Sequence, residues 1–105
     1  MDCVFCNIIS GAIPAKKVYE DELLVAFHDV NPQTSVHVLA VPKEHIASAA
    51  VVGTSHKDLM GHLWTVIPVL AGQLGIADGF RVVTNSGESA GQTVPHLHFH
   101  LQSPK

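Results

Sequence analysis

A chain of 105 residues holds one domain with a single modest core and excludes a multidomain architecture. Hydrophobic residues make up 47% and charged residues 14%, which excludes a disordered or low-complexity chain. The formal net charge of −3 gives no global basic pull on nucleic acid or on an anionic membrane.

Met1-Asp-Cys-Val-Phe-Cys6 lacks the basic start of a signal peptide, and no apolar run has transmembrane length. The chain therefore reads as a single cytoplasmic domain over residues 1–105. Cys3 to Ser10 predicts a short helix closed by Gly11. Cys3-x-x-Cys6 has three readings: two buried thiols, a redox pair, or half of a zinc site. A redox pair usually follows a strand in a βαβ unit, which is missing here. Reduced thiols at this spacing suit metal, with histidines as the other half.

Ile13 to Lys17 reads as a turn, Val18 to Glu20 as a short strand and Asp21-Glu22 as a tight turn. Leu23 to Asp29 is a second strand, ended by Asn31-Pro32. Val36 to Val41 is a third, closed by Pro42. The spacing predicts antiparallel hairpins. Lys43 to Val52 predicts a weak helical segment, stopped by Gly53. Thr54 or Ser55 then caps the main helix, with Asp58 in its first turn and Gly75 past its end. Leu59, Leu63, Ile67, Leu70 and Leu74 form its core stripe. Pro68 predicts a kink or a register break. Met60, Trp64, Val66 and Val69 lie outside the stripe, which predicts a second subunit covering them. Phe80 to Asn85 is the fourth strand and His96 to Gln102 the fifth. The fold class is α+β: about five antiparallel strands, one long helix and one or two short ones.

The fifth strand carries the most information. His96, His98 and His100 alternate with Leu97, Phe99 and Leu101, so the imidazoles share one face and the apolar side chains the other. The preceding stretch, Asn85 to Thr93, is rich in glycine and hydroxyls and suits an anion. It has no lysine, so it is not a Walker loop. One phosphate, held by backbone N–H groups, the Asn85 amide, the Thr93 hydroxyl and imidazole, fits it better than a triphosphate. A neutral imidazole can attack phosphorus directly at pH 7. His-x-His on a strand is also a zinc geometry. On spacing alone, phosphoryl chemistry and metal binding stand level.

His96-Leu-His98-Phe-His100-Leu-Gln102 resembles the signature of the histidine triad family. Cys3-Val-Phe-Cys6-Asn-Ile-Ile, Ile13-Pro-Ala-Lys, Phe27-His-Asp29, Asn31-Pro-Gln, His37 to Ile46 and Gly91-Gln-Thr-Val resemble its Hint branch, in matching order over almost the whole chain. The resemblance implies a purine nucleotide hydrolase that releases AMP or GMP from nucleoside 5′-phosphoramidates or related adenylates. It implies that His98 is the nucleophile, that His100 binds phosphate oxygens, and that His37 and His96 complete the histidine set. Asn85, Gly91, Gln92 and Thr93 would line the phosphate site, with Thr93 where the family usually has Ser. Asp29 would hold the ribose, and Val4, Phe5, Ile8, Phe27, His28 and Val30 the nucleobase. It also implies a structural zinc on Cys3, Cys6, His45 and His96, no cofactor for catalysis, and a homodimer. The pattern departs at Pro95, and at Gln102-Ser-Pro-Lys105, where the branch usually continues with Gly-Gly and a tail that reaches the partner subunit's site. Two other function classes fit the residues: a nucleotide-binding regulatory module with vestigial activity, and a metal-dependent hydrolase using the tri-histidine face.

Overall fold

The computed structural model describes residues 3–105. Five strands form one antiparallel sheet in the order β1-β2-β3-β5-β4. They are β1 (Lys17–Glu20), β2 (Leu24–His28), β3 (His37–Pro42), β4 (Arg81–Val83) and β5 (Phe99–Gln102). Helix α1 (Val4–Ile9) packs on one face of the sheet and helix α2 (Lys57–Gln73) on the other. The expected α+β class with one long helix is what the chain adopts.

Period-two alternation sorts the strands between two cores. Leu24, Ala26, Val38, Ala40, Phe99 and Leu101 face α2 and meet its Leu59, Leu63, Val66, Ile67 and Leu70. Val25, Phe27, Leu39 and Val41 face α1 and meet Cys3, Phe5 and Ile8. Strands β2 and β3 are thus buried on both faces, while β1 and β4 form the edges. His37 alternates with Val38 and so falls on the α1 side. In the β3–β5 register Leu39 faces His100 and His37 faces Gln102. His37 and His100 are therefore diagonal neighbours on one face, within reach of each other.

Asp21 ties the β1–β2 turn to α2. Its Oδ1 accepts the N–H groups of Leu23 (2.7 Å) and Leu24 (2.8 Å). Its Oδ2 accepts the Tyr19 hydroxyl and the His62 Nε2–H of α2, each at 2.6 Å. Burial alone would raise this carboxyl's pKa, but the four donors together hold it well below the usual carboxylate range.

Several local expectations are corrected. Residues 43–52 form no helical segment beyond a single 3₁₀ turn, Ala49–Val51. The Ile46 carbonyl is taken by the Leu97 N–H (2.6 Å), and the Ala50 N–H goes to the hydroxyls of Ser48 and Ser86. The helical bond between residues 46 and 50 is thereby replaced. Neither Thr54 nor Ser55 caps α2. A 3₁₀ turn, Thr54–His56, precedes it, and the Gly53 N–H donates to His56 Nδ1 (2.9 Å). Helix α2 also continues past Pro68 without the break in register expected as one alternative. Trp64, whose carbonyl the proline cannot satisfy, lies on the exposed side, where water can take that role. Val66 is buried in the monomer's own core and is not left over for a partner. Strand β5 begins at Phe99, so His96 and His98 stand outside the ladder.

Candidate active site

The approach to β5 explains where the ladder stops. Pro95 has no N–H to give a neighbouring strand. The His96 N–H turns back to the Val94 carbonyl (2.8 Å), and Leu97 is tied to Ile46. Alternation nevertheless survives: Leu97, Phe99 and Leu101 enter the α2 core, while the three histidines face α1. Phe5 of α1 packs edge-on against His96 (5.9 Å between ring centroids) and His98 (5.0 Å).

Backbone groups fix the tautomers of His96, His98 and His37, and His37 in turn fixes that of His100. The His96 Nε2–H donates to the Pro42 carbonyl (2.8 Å), which leaves Nδ1 as a lone pair. The His98 Nδ1–H donates to the His96 carbonyl (2.7 Å), which leaves Nε2 as a lone pair. The Gln33 N–H donates to His37 Nδ1 (3.0 Å), so the proton of neutral His37 sits on Nε2 and goes to His100 Nδ1 (2.8 Å). His100 then carries its own proton on Nε2. One ring offers a bare nitrogen and its neighbour, 5.1 Å away between centroids, offers an N–H donor. His98 Nε2 has no hydrogen-bond partner among the described residues and is not a buried unpaired atom, so it opens to the surface. Burial, with repulsion from His98 and His37, holds the His100 imidazole below its ordinary value of 6.5. The Thr84 hydroxyl donates to the His98 carbonyl (2.8 Å) and anchors the His98 backbone.

The three triad rings do not converge on one centre. Instead His96 Nδ1 points toward Cys3 Sγ (3.3 Å), Cys6 Sγ (3.6 Å) and His45 Nδ1 (3.1 Å), and Cys6 Sγ lies 3.3 Å from His45 Nδ1. Zinc bond lengths of about 2.0 Å to N and 2.3 Å to S place tetrahedral ligand atoms about 3.3–3.8 Å apart. The four side chains fit such an ion, and the Pro42 carbonyl orients His96 for it. Burial holds His96 below its ordinary value, which favours the neutral, ligating form. Burial and the adjacent Cys3 raise the Cys6 thiol, a pull that a bound cation reverses. A second cluster, Asp29, His37 and His100, also has its ligand atoms within 4.8 Å of one another. It does not suit a metal. Ligation through His37 Nε2 would put a proton on Nδ1, directly against the Gln33 N–H.

A cleft of about 920 Å³ opens beside His37. Val4, Ile8, Phe27, His28, Asp29 and Val30 line it. Val30 is fully exposed and Val4 is 46% exposed, so an apolar rim awaits cover. Phe5 lies behind this cleft, under the histidines. The sequence reading missed Ile13, Pro14, Ala15 and Lys16, which form the opposite wall. It also missed Gln33 and Thr84, which act through backbone contacts that no spacing reveals. Asp29 Oδ1 accepts the Asn31 N–H (2.8 Å), and Oδ2 lies 3.4 Å from His37 Nε2.

The glycine-rich loop is organised by Gln92. Its Oε1 accepts the Gly87 N–H (2.8 Å), and its Nε2 donates to the carbonyls of Ala47 (2.7 Å) and Val94 (2.9 Å). Its own N–H goes to Gly87 O, and those of Ala90 and Gly91 are also bonded within the loop. The expected backbone cradle is therefore narrowed. Gly91 takes a left-handed conformation (φ +94°), and a Cβ there would stand 4.0 Å from the Asn85 amide nitrogen. That brings Asn85 and Gly91 together beside Thr93, whose N–H and hydroxyl have no acceptor among the described residues.

A histidine-triad fold with this site defines the class, and the comparisons agree. A family profile described as "HIT domain" matches residues 10–105. The chain belongs to the HIT family. It is 47% identical over 100 residues to an uncharacterized HIT-like protein of Synechococcus elongatus, covering 95% of this chain and 88% of that one. It is 43% identical to the 14 kDa zinc-binding protein of Zea mays, over 93% of this chain and 78% of that one. Among solved structures, a HIT family hydrolase from Legionella pneumophila superposes with a TM-score of 0.96 at 37% identity, over 99% of this chain and 94% of that one. Among the described residues, no helix is long and apolar enough to cross a membrane.

Proposed function

We propose that the chain hydrolyses purine nucleoside 5′-phosphoramidates or related adenylates through a nucleotidyl-His98 intermediate. The carrying observation is the pairing of tautomers: His98 is held with a bare Nε2 while the relay through His37 gives His100 an N–H. A nucleophile and an oxyanion donor are thus prepared side by side without a proton transfer. The base lies in the cleft rimmed by Val4 and Val30, with Ile8, Phe27 and His28. The ribose meets Asp29. The phosphate lies among His98, His100, Asn85, Gly91 and Thr93, with Gln92 shaping the loop.

The lone pair of His98 Nε2 forms the bond to phosphorus as the P–N bond breaks, and the leaving nitrogen takes the bonding pair and one proton from solvent to depart as a neutral amine. Water then attacks phosphorus, and the pair of the P–N bond to His98 returns to the imidazole. The attacking water gives up two protons, one returned to solvent and one taken up by the released amine, so the net products are the nucleoside monophosphate and an ammonium ion. Cys3, Cys6, His45 and His96 would hold a structural zinc, in keeping with the zinc-binding relative in maize. Such an ion supplies a fixed positive charge that binds these side chains together. A second copy of the chain covers Trp64 (52% exposed), Val69 (50%) and Val83 (37%) on α2 and β4. The working compartment is the cytoplasm.

The deciding experiment compares wild type with His98→Ala on adenosine 5′-phosphoramidate. Loss of turnover with AMP binding retained is the expected result. Near-normal turnover by the variant refutes the mechanism. AMP binding without turnover by the wild type would favour a regulatory nucleotide-binding module.

A further inference from the structure

A second cleft, of about 610 Å³, lies on the glycine-rich loop. Ser48, Gly87, Glu88, Gly91, Gln92 and Thr93 line it. It shares Gly91 and Thr93 with the proposed phosphate site, on the loop side, whereas the base cleft opens beside His37. A substrate whose base sits beside His37 and whose phosphate meets Gly91 and Thr93 would present whatever else is attached to its phosphorus to this cleft. Glu88 is the single charged residue lining this cleft, with no lysine or arginine opposite it. It forms no ion pair among the described residues, and it is exposed. Its backbone is fixed: the Gly91 N–H donates to the Glu88 carbonyl (3.0 Å), and Gln92 holds the preceding Gly87.

We propose that this cleft is the leaving-group subsite and that Glu88 makes it selective for amines that carry a positive charge. The inference rests on the phosphoramidase reading above. The charge logic follows from the reaction. The departing amine ends as an ammonium ion, and a leaving group with a second, remote ammonium presents a cation to the cleft before the bond breaks. A carboxylate favours both, and disfavours a leaving group that carries a carboxylate of its own.

The test uses three adenosine 5′-phosphoramidates of equal chain length, ending in an ammonium, a methyl or a carboxylate. Wild type should show kcat/KM falling in that order, by about threefold to fivefold between the ends, the scale of a partly exposed ion pair. Glu88→Gln should collapse the ratio toward one and Glu88→Lys should invert it. Raising the salt should flatten the wild-type order. A flat wild-type order at low salt, or a ratio that neither substitution moves, overturns the assignment while leaving the phosphoramidase reading intact. Failure of wild type on all three substrates overturns both.

Discussion

His37 can be divided into its two nitrogens. Nδ1 accepts the Gln33 N–H, and Nε2 donates to His100. Asparagine places its oxygen near the position of Nδ1 and has nothing at Nε2. Glutamine reaches the Nε2 position with an N–H donor and leaves Nδ1 empty. His37→Asn therefore keeps the loop anchored and releases His100. One hydrogen bond that fixes the oxyanion donor is worth about 1–1.5 kcal/mol, which is about 5- to 10-fold in kcat/KM. His37→Gln keeps the donor and strands the Gln33 N–H in a site where His37 is only 3% exposed. An unpaired buried donor costs about 1–3 kcal/mol, several degrees in Tm for a domain of this size. Asn is one methylene smaller than Gln, so the larger packing loss falls on His37→Asn, while the stranded donor falls on His37→Gln alone. Steady-state kinetics on adenosine 5′-phosphoramidate and thermal melts of both proteins give the readout. Equal activity in the two variants, or a normal rate for His37→Asn, would refute the relay.

Three other outcomes are expected. Cys6→Ser should lose about one equivalent of zinc per chain by elemental analysis and lower Tm, since metal-binding energy is folding energy; zinc-free wild type with an unchanged melt would point to plain buried thiols. Trp64→Glu should turn a dimer into a monomer or insoluble protein, because it places a charge in the apolar face; light scattering showing monomeric wild type at micromolar concentration would refute that interface. Since burial lowers the His100 pKa from 6.5, the unfolded chain takes up this proton first as pH falls. Its contribution to stability is full above 6.5 and is lost progressively below it. The Tm of His100→Gln should vary less between pH 7 and pH 5 than that of wild type; an identical pH dependence would remove His100 from the account.

Features legible in the sequence were those decided within a few residues. The short helix α1 with its Gly11 stop, the Asp21 turn, and the alternation from His96 to Leu101 all depend on near neighbours. Features that were not legible depend on distant partners. Residues 43–52 are kept from forming a helix by Leu97, half the chain away. Gln92 is a nucleotide contact by motif and a loop brace by geometry, because its amide meets Ala47. Periodicity placed Val66 outside the stripe, and only the packed helix shows that it faces the sheet.

His96 shows why the two halves of the site are built together. Its Nδ1 faces the thiols, its Nε2–H is held by Pro42, and its carbonyl sets the tautomer of His98. A residue inside a regular strand could not do all three, since its carbonyl would be committed to the ladder. Pro95 and the irregular stretch to His98 free that carbonyl, and the lost ladder bonds are replaced by Ile46, Val94 and Thr84. Straightening this stretch, for instance by Pro95→Val with its restored N–H, would draw the His96 carbonyl toward the sheet. The departure from strand geometry is thus what gives His98 a fixed proton on one nitrogen and a free lone pair on the other.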